Sequence, residues 1–160
     1  MRPSVPGFDP LLAALEESGA YVLCVAPGVS EETARRFTSQ RVKVLTRPVA
    51  LENILRDADL AIVYGTGTMA DALLAGVPLL MVPQVIEQVL VARRIEELGA
   101  GLLWGAPRTA ESARAVIRTA LNNSSLRAEA RNFSLRHQDF SPSKAIEHVV
   151  EMISGMAAGR

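Results

Sequence analysis

The stretch from Asp59 to Gly101 constrains the fold more than any other part of the chain: DLAIVYGTGTMADALLAGVPLLMVPQVIEQVLVARRIEELGAG. An apolar run, Leu60–Val63, passes through Tyr64-Gly65-Thr66-Gly67-Thr68 into a helical segment over about Thr68–Ala75, which Gly76 and Pro78 stop. A second run, Leu79–Val82, contains no polar residue, and beyond Pro83 a helical segment spans Ile86–Leu98 and ends at Gly99. A strand apolar on both faces needs helices on both sides. That is the setting of parallel βαβ units joined by right-handed crossovers.

The flanking sequence continues the alternation. Met1–Phe8, with Pro3, Pro6 and Gly7, reads as a loop or tail. Asp9 is placed to cap a helix with Pro10 at its first position and Leu11, Leu12 and Leu15 on one face, and Ser18-Gly19 ends it. Strands are expected at Ala20–Ala26 and over Val42, Val44 and Leu45, with helices over Glu31–Thr38 (capped by Ser30) and Leu51–Arg56. A last short strand falls at Gly101–Trp104. From Thr109 onward only helix is expected, over about 109–121, 123–138 and 142–154, followed by a small, polar, frayed tail over 155–160. The expected architecture is a single α/β domain over 9–154: a Rossmann-like three-layer domain with a parallel sheet of about five strands and a helical C-terminal segment.

Composition narrows the function classes. With 160 residues, 49% apolar but only 4% aromatic, the core must be built from Leu, Val, Ile and Ala. Seventeen basic and seventeen acidic residues cancel, so bulk charge favours neither nucleic acid nor an acidic membrane. The longest apolar stretch, Ala72–Ile86, is broken by Gly76, Pro78 and Pro83 and does not read as a membrane span. Cys24 is a lone thiol inside an apolar run, and neither CxxC nor HExxH occurs, so no metal site is expected. The expected location is cytoplasmic.

Two groups stand where α/β folds place ligand contacts, just beyond the carboxyl ends of strands. The loop Tyr64, Gly65, Thr66, Gly67 and Thr68 opens a helix, where free N–H groups and the helix dipole favour an anion such as a diphosphate. A capping box between Thr68 and Asp71 accounts for the same residues without a ligand. Glu87 and Gln88 stand in the first turn of the next helix, where the dipole alone favours the carboxylate. Side by side they also offer the acceptors and donors that sugar hydroxyls need. Arg93, Arg94, Glu96 and Glu97 read as a solvated face with an Arg93–Glu97 pair. Trp104 reads as edge packing, with stacking on a base as the alternative. No Ser–His–Asp set or paired carboxylates emerge, so no catalytic residue is assigned.

Together these residues resemble the donor-binding C-terminal domain of GT-B glycosyltransferases, the antibiotic, macrolide and glucuronosyl-type enzymes that use nucleotide sugars. The resemblance is carried by the loop 64–68, Asp71, Ala75-Gly76-Val77-Pro78, Pro83, Glu87-Gln88, Ala92-Arg93-Arg94, Glu97-Leu98-Gly99-Ala100-Gly101 and Phe140-Ser141-Pro142. It implies that the loop holds the diphosphate of a UDP- or dTDP-sugar and that Glu87-Gln88 hold the sugar, with no metal or other cofactor. It also implies that the general base lies on an N-terminal domain this sequence lacks. The chain is then inactive alone and needs an acceptor-binding domain or subunit. The pattern departs from the family at Tyr64, where a histidine is usual, at Glu87 for Asp, at Val91 for Asn, and in a loop one residue shorter.

Such domains open with an apolar strand in the middle of the sheet, and Met1-Arg2-Pro3-Ser4 resembles the residues just after it. The consequence expected is that Ala20–Ala26 and Leu60–Val63 lie directly side by side, or that a second copy fills the gap in a homodimer. The alternative function is a degenerate, non-catalytic domain of this fold that serves assembly. A sugar-nucleotide epimerase fits the Glu-Gln pattern less well, and a dinucleotide dehydrogenase would need a GxGxxG after its first strand.

Overall fold

The computed structural model describes residues 5–158. In chain order its elements are α1 (Phe8–Glu17), β1 (Val22–Val25), α2 (Glu31–Phe37), β2 (Val42–Leu45), α3 (Leu51–Arg56), β3 (Ala61–Val63), α4 (Thr66–Leu74), β4 (Leu79–Met81), α5 (Ile86–Glu97), β5 (Gly101–Leu103), α6 (Ala110–Asn122), α7 (Ser124–Arg136) and α8 (Pro142–Ala158). All strand pairing is parallel, as alternation of strands and helices requires. Each expected strand and helix is present, with ends shifted by a few residues.

The five strands form two sheets rather than one. β1 pairs with β2, and β3-β4-β5 form a separate three-stranded sheet. The expected side-by-side pairing of the strands at 20–26 and 60–63 is therefore not made. Residues 5–7 are bend and turn, as expected of a loop, but Phe8 already begins α1 with Gly7 at φ 90° as its N-cap, so Asp9 sits inside the first turn rather than capping it. Met1–Ser4 lie outside the described residues.

Alternation along β4 sets the layers. Leu79 and Met81 face a cluster with Ala61, Val63, Met69, Ala72, Ala92, Ile95 and Ala130, contributed by β3, α4, α5 and α7. Leu80 and Val82 face the opposite cluster, with Leu11, Ala14 and Leu15 of α1 and Ala113 and Ile117 of α6. All four β4-side residues Leu79–Val82 are fully buried, which is why the run tolerates no polar residue. Gly101 is required by close approach: a Cβ there would stand 2.9 Å from the Leu79 carbonyl oxygen.

A third cluster covers the smaller sheet. Phe8 and Leu12 of α1 pack with Cys24, Ala26 and Val42, and the Phe8 and Phe37 rings meet edge-on at 5.1 Å. One helix, α1, thus serves both sheets: Phe8 and Leu12 on one, Leu11, Ala14 and Leu15 on the other. Its last turn is tied to α6 by Arg114, whose Nε donates to Glu17 Oε2 at 2.6 Å.

On α5 the pair formed is Arg94–Glu97 at 3.4 Å rather than Arg93–Glu97. Glu96 Oε1 accepts instead from the Leu103 N–H at 3.0 Å, joining α5 to β5. α8 continues to Ala158, past the end expected for it, and carries exposed Ile146, Val149, Val150, Met152, Ile153 and Met156. Among the described residues no helix is long and apolar enough to cross a membrane.

Candidate functional site

β3 and β4 are adjacent and parallel, with Val63 opposite Met81, so the segments leaving them emerge about 5 Å apart on one rim of the sheet. The first leads through Tyr64 to α4 and the second through Pro83 to α5. The rim therefore gathers the two groups singled out from the sequence.

The α4 start differs from the expected cap. Gly65 (φ −82°, ψ 134°) is the N-cap and makes no side-chain capping bond, while Thr66, Gly67 and Thr68 form the first turn. Thr68 is therefore not a capping residue, and the Thr68–Asp71 capping box is not formed. The first helical bond runs from the Met69 N–H to the Gly65 carbonyl at 3.1 Å, and the N–H groups of Thr66, Gly67 and Thr68 have no acceptor within the described chain. No acidic residue stands in this turn. Neither glycine has a positive φ, and a Cβ at either would meet nothing within 4 Å. Internal packing therefore demands glycine at neither position. At Gly67, inside the helix, glycine costs about 0.5–1 kcal/mol relative to alanine.

The α5 start is built differently. Val85 is its N-cap, and Glu87 lies exposed in the first turn, where it complements the helix dipole. Gln88 turns back: its Oε1 accepts from the Gln84 N–H at 2.8 Å, while Gln84 Nε2 donates to the Val82 carbonyl at 2.6 Å. The Gln88 acceptor is thus used internally, which leaves its NH₂ as the group to offer outward. Around these residues Val85, Ile86 and Leu90 are exposed.

Trp104 takes no part in an open stacking surface. It is buried, its Nε1–H donating to Ser112 Oγ at 3.1 Å, and the base-stacking alternative fails. Sequence reasoning missed Gln84 and Arg108. Arg108 donates from Nη2 to the Pro83 carbonyl at 2.7 Å, from Nη1 to Pro6 at 3.3 Å and from Nε to Trp104 at 3.3 Å. No local pattern marks it, because two of those partners are distant in sequence.

A recess of about 400 Å³ lies at the opposite end of the strands, between Asp59, Val77, Pro78, Arg127 and Arg131. Its wall holds the exposed Arg127–Asp59 ion pair, 3.0 Å. None of the residues of the rim at α4 and α5 lines this recess. Among the described residues no three His, Cys, Asp or Glu side chains gather as metal ligands.

An α/β domain with two uncapped helix starts on the carboxyl rim of a parallel sheet belongs to the Rossmann-like class that takes anionic ligands there. Residues 14–154 match the model of the erythromycin biosynthesis protein CIII-like C-terminal domain, and the chain belongs to that family of glycosyltransferase C-terminal domains of the nucleotide-sugar donor-binding kind.

The chain is 51% identical over 49 residues to the NDP-glycosyltransferase YjiC of Bacillus licheniformis, a stretch covering 30% of this chain and 12% of that protein. Among solved structures it is similar to the spinosyn forosaminyltransferase SpnP, with TM-score 0.76, 22% identity, and coverage of 96% of this chain and 40% of that one. It is likewise similar to the glycosyltransferase VinC in complex with dTDP, with TM-score 0.72, 26% identity, and coverage of 89% and 36%. The chain thus spans well under half the length of these glycosyltransferases, and the fold shared with them is that of the GT-B class.

Proposed function

We propose that this chain is the donor-binding half of a glycosyltransferase that takes a UDP- or dTDP-sugar. The diphosphate sits against the N–H groups of Thr66, Gly67 and Thr68, with Tyr64 and Gly65 shaping the approach. Glu87 accepts from sugar hydroxyls and the Gln88 NH₂ donates to them. The division of labour follows from charge: the α4 turn has no carboxylate to repel an anion, whereas Glu87 occupies the α5 turn. The single observation that carries the reading is the α4 turn, whose N–H groups lack acceptors and whose glycines stand in open space.

The transfer step needs an acceptor and a base from elsewhere, so the isolated chain is inactive and acts with an acceptor-binding domain or subunit in the cytoplasm. The exposed apolar residues of α8 and of the rim (Val85, Ile86 and Leu90) support such a partner.

Calorimetric titration with UDP, dTDP and GDP tests the reading, with Gly67→Asp as the control variant. Saturable binding of UDP or dTDP is expected, weakened at least about tenfold in Gly67→Asp. An acidic residue in the first turn complements the dipole, so this variant should melt no lower than the parent. No binding at millimolar nucleotide would overturn the proposal in favour of a fold retained for assembly.

A further inference from the structure

Of the residues at the rim, Arg108 has the most constrained surroundings and none of the ligand contacts assigned above. Its three donors run to three separate segments: Pro6, just before α1; Pro83, just after β4; and Trp104, just after β5. Its guanidinium carbon lies 5.9 Å from the centre of the Trp104 ring. No carboxylate pairs with it among the described residues, so its charge is met only by carbonyl dipoles and the ring.

We propose that Arg108 is a positioning residue of the donor site, fixing the Pro83–Val85 segment and through it the placement of Glu87 and Gln88 against the sugar. This rests on the donor-site reading above and adds a residue that need not touch the ligand. The path is short and continuous. The Pro83 carbonyl is held by Arg108 at 2.7 Å; the next residue, Gln84, donates its N–H to Gln88 Oε1 and its Nε2–H to the Val82 carbonyl. Without Arg108 the Pro83–Gln84 peptide is held from its N–H side alone, and Gln84 and the Gln88 amide are held less firmly in the arrangement that turns the Gln88 NH₂ outward.

A planar fork with five donors suits three carbonyls in divergent directions, and a lysine ammonium does not reproduce it. Gly7 fits the same arrangement: a Cβ there would meet the Arg108 Cβ and the Trp104 ring at 3.0 Å.

The site predicts a selective defect. Arg108 acts on the α5 side, which carries the sugar contacts, and not on the α4 turn, which carries the diphosphate contacts. Arg108→Met and Arg108→Lys should be titrated with UDP and dTDP, and with UDP-glucose and dTDP-glucose, beside the parent. Arg114→Ala, which removes the remote ion pair to Glu17, serves as the stability control.

For Arg108→Met we expect the dissociation constant of the nucleotide sugar to rise about tenfold, the scale of losing one charge-assisted hydrogen bond. That of the bare nucleotide should stay close to the parent's. Arg108→Lys should fall between, Arg114→Ala should bind as the parent does, and the Gln84 amide should exchange faster in Arg108→Met.

Unchanged sugar-nucleotide binding overturns the proposal, as does an equal loss for both ligands or a Gln84 amide that stays protected. A parent that binds neither ligand class overturns the donor-site reading itself and this role with it. A parent that binds with indifferent variants overturns this role alone.

Discussion

Gly67 and Gly101 show how differently two glycines in one fold are used. At Gly101 a methyl group would press on the Leu79 carbonyl, the Met81 Cε at 3.0 Å and the Ile95 Cγ2 at 3.1 Å. Gly101→Ala should therefore lower stability by about 1–3 kcal/mol in urea unfolding, the usual range for overpacking. Gly67→Ala meets nothing, and removing glycine from a helix should raise stability by about 0.4–1 kcal/mol. If the donor reading holds, the same change weakens UDP or dTDP, so the two effects separate in one variant. Cys24 is buried and its thiol is pushed up by desolvation, so reaction with Ellman's reagent at pH 8 should wait on unfolding. What the sequence showed at this scale was composition: a glycine-threonine loop at a strand end. It did not show geometry, because Gly65 and Thr68 are both acceptable cap residues and only the backbone path decides that the helix begins at Thr66. Arg108 was invisible for a related reason: its meaning lies in carbonyls brought together by the fold.

Among the elements, β4 was the most legible and α8 the least. A short, wholly apolar run between breakers has few alternatives, and Leu79–Val82 is indeed covered on both faces. The pattern of α8 gives an amphipathic helix, yet pattern cannot say whether an apolar face finds a partner within its own chain. Ile146, Val149, Val150, Ile153 and Met156 are all more than half exposed, and among residues 142–156 none of α8 belongs to the three core clusters. Ending the chain at Phe140 should accordingly leave the thermal midpoint of the remaining domain nearly unchanged, as followed by circular dichroism. A large drop would mean that α8 supports the body after all. The α1–α6 tie gives a pH signature. The hydrogen bond from Arg114 holds Glu17 below its ordinary value of 4.5, so the pair contributes stability above that pH and loses it as pH falls through the depressed value. Urea unfolding of the parent and Glu17→Gln should therefore differ slightly at pH 7 and converge in acid, the exposed setting keeping the difference small.

At the scale of the whole molecule, strand number and parallel direction were readable from the sequence, but pairing was not. β1 and β3 are separated by β2 and two helices in the chain, and no residue in either run encodes which edge it meets. The division into two sheets is therefore a tertiary result. It predicts uneven protection. The largest fully buried side chains are Met69, Leu79, Leu80, Met81, Ile117, Val42 and Val82, most of them in or against the three-stranded sheet, whereas Leu23 of β1 is exposed. Amide exchange should be faster in β1 and β2 than in β3 to β5, and equal rates would show that the sheets open as one unit. The double duty of α1 carries a further consequence for the order of events on the ribosome. α1 emerges ahead of every other described element, but the α6 surface against which Leu11, Ala14 and Leu15 pack is made about a hundred residues later. Until then α1 has Leu80 of β4 and Val82 to pack against on that side but not α6, so the helix made earliest among those described is among the last to be fully seated.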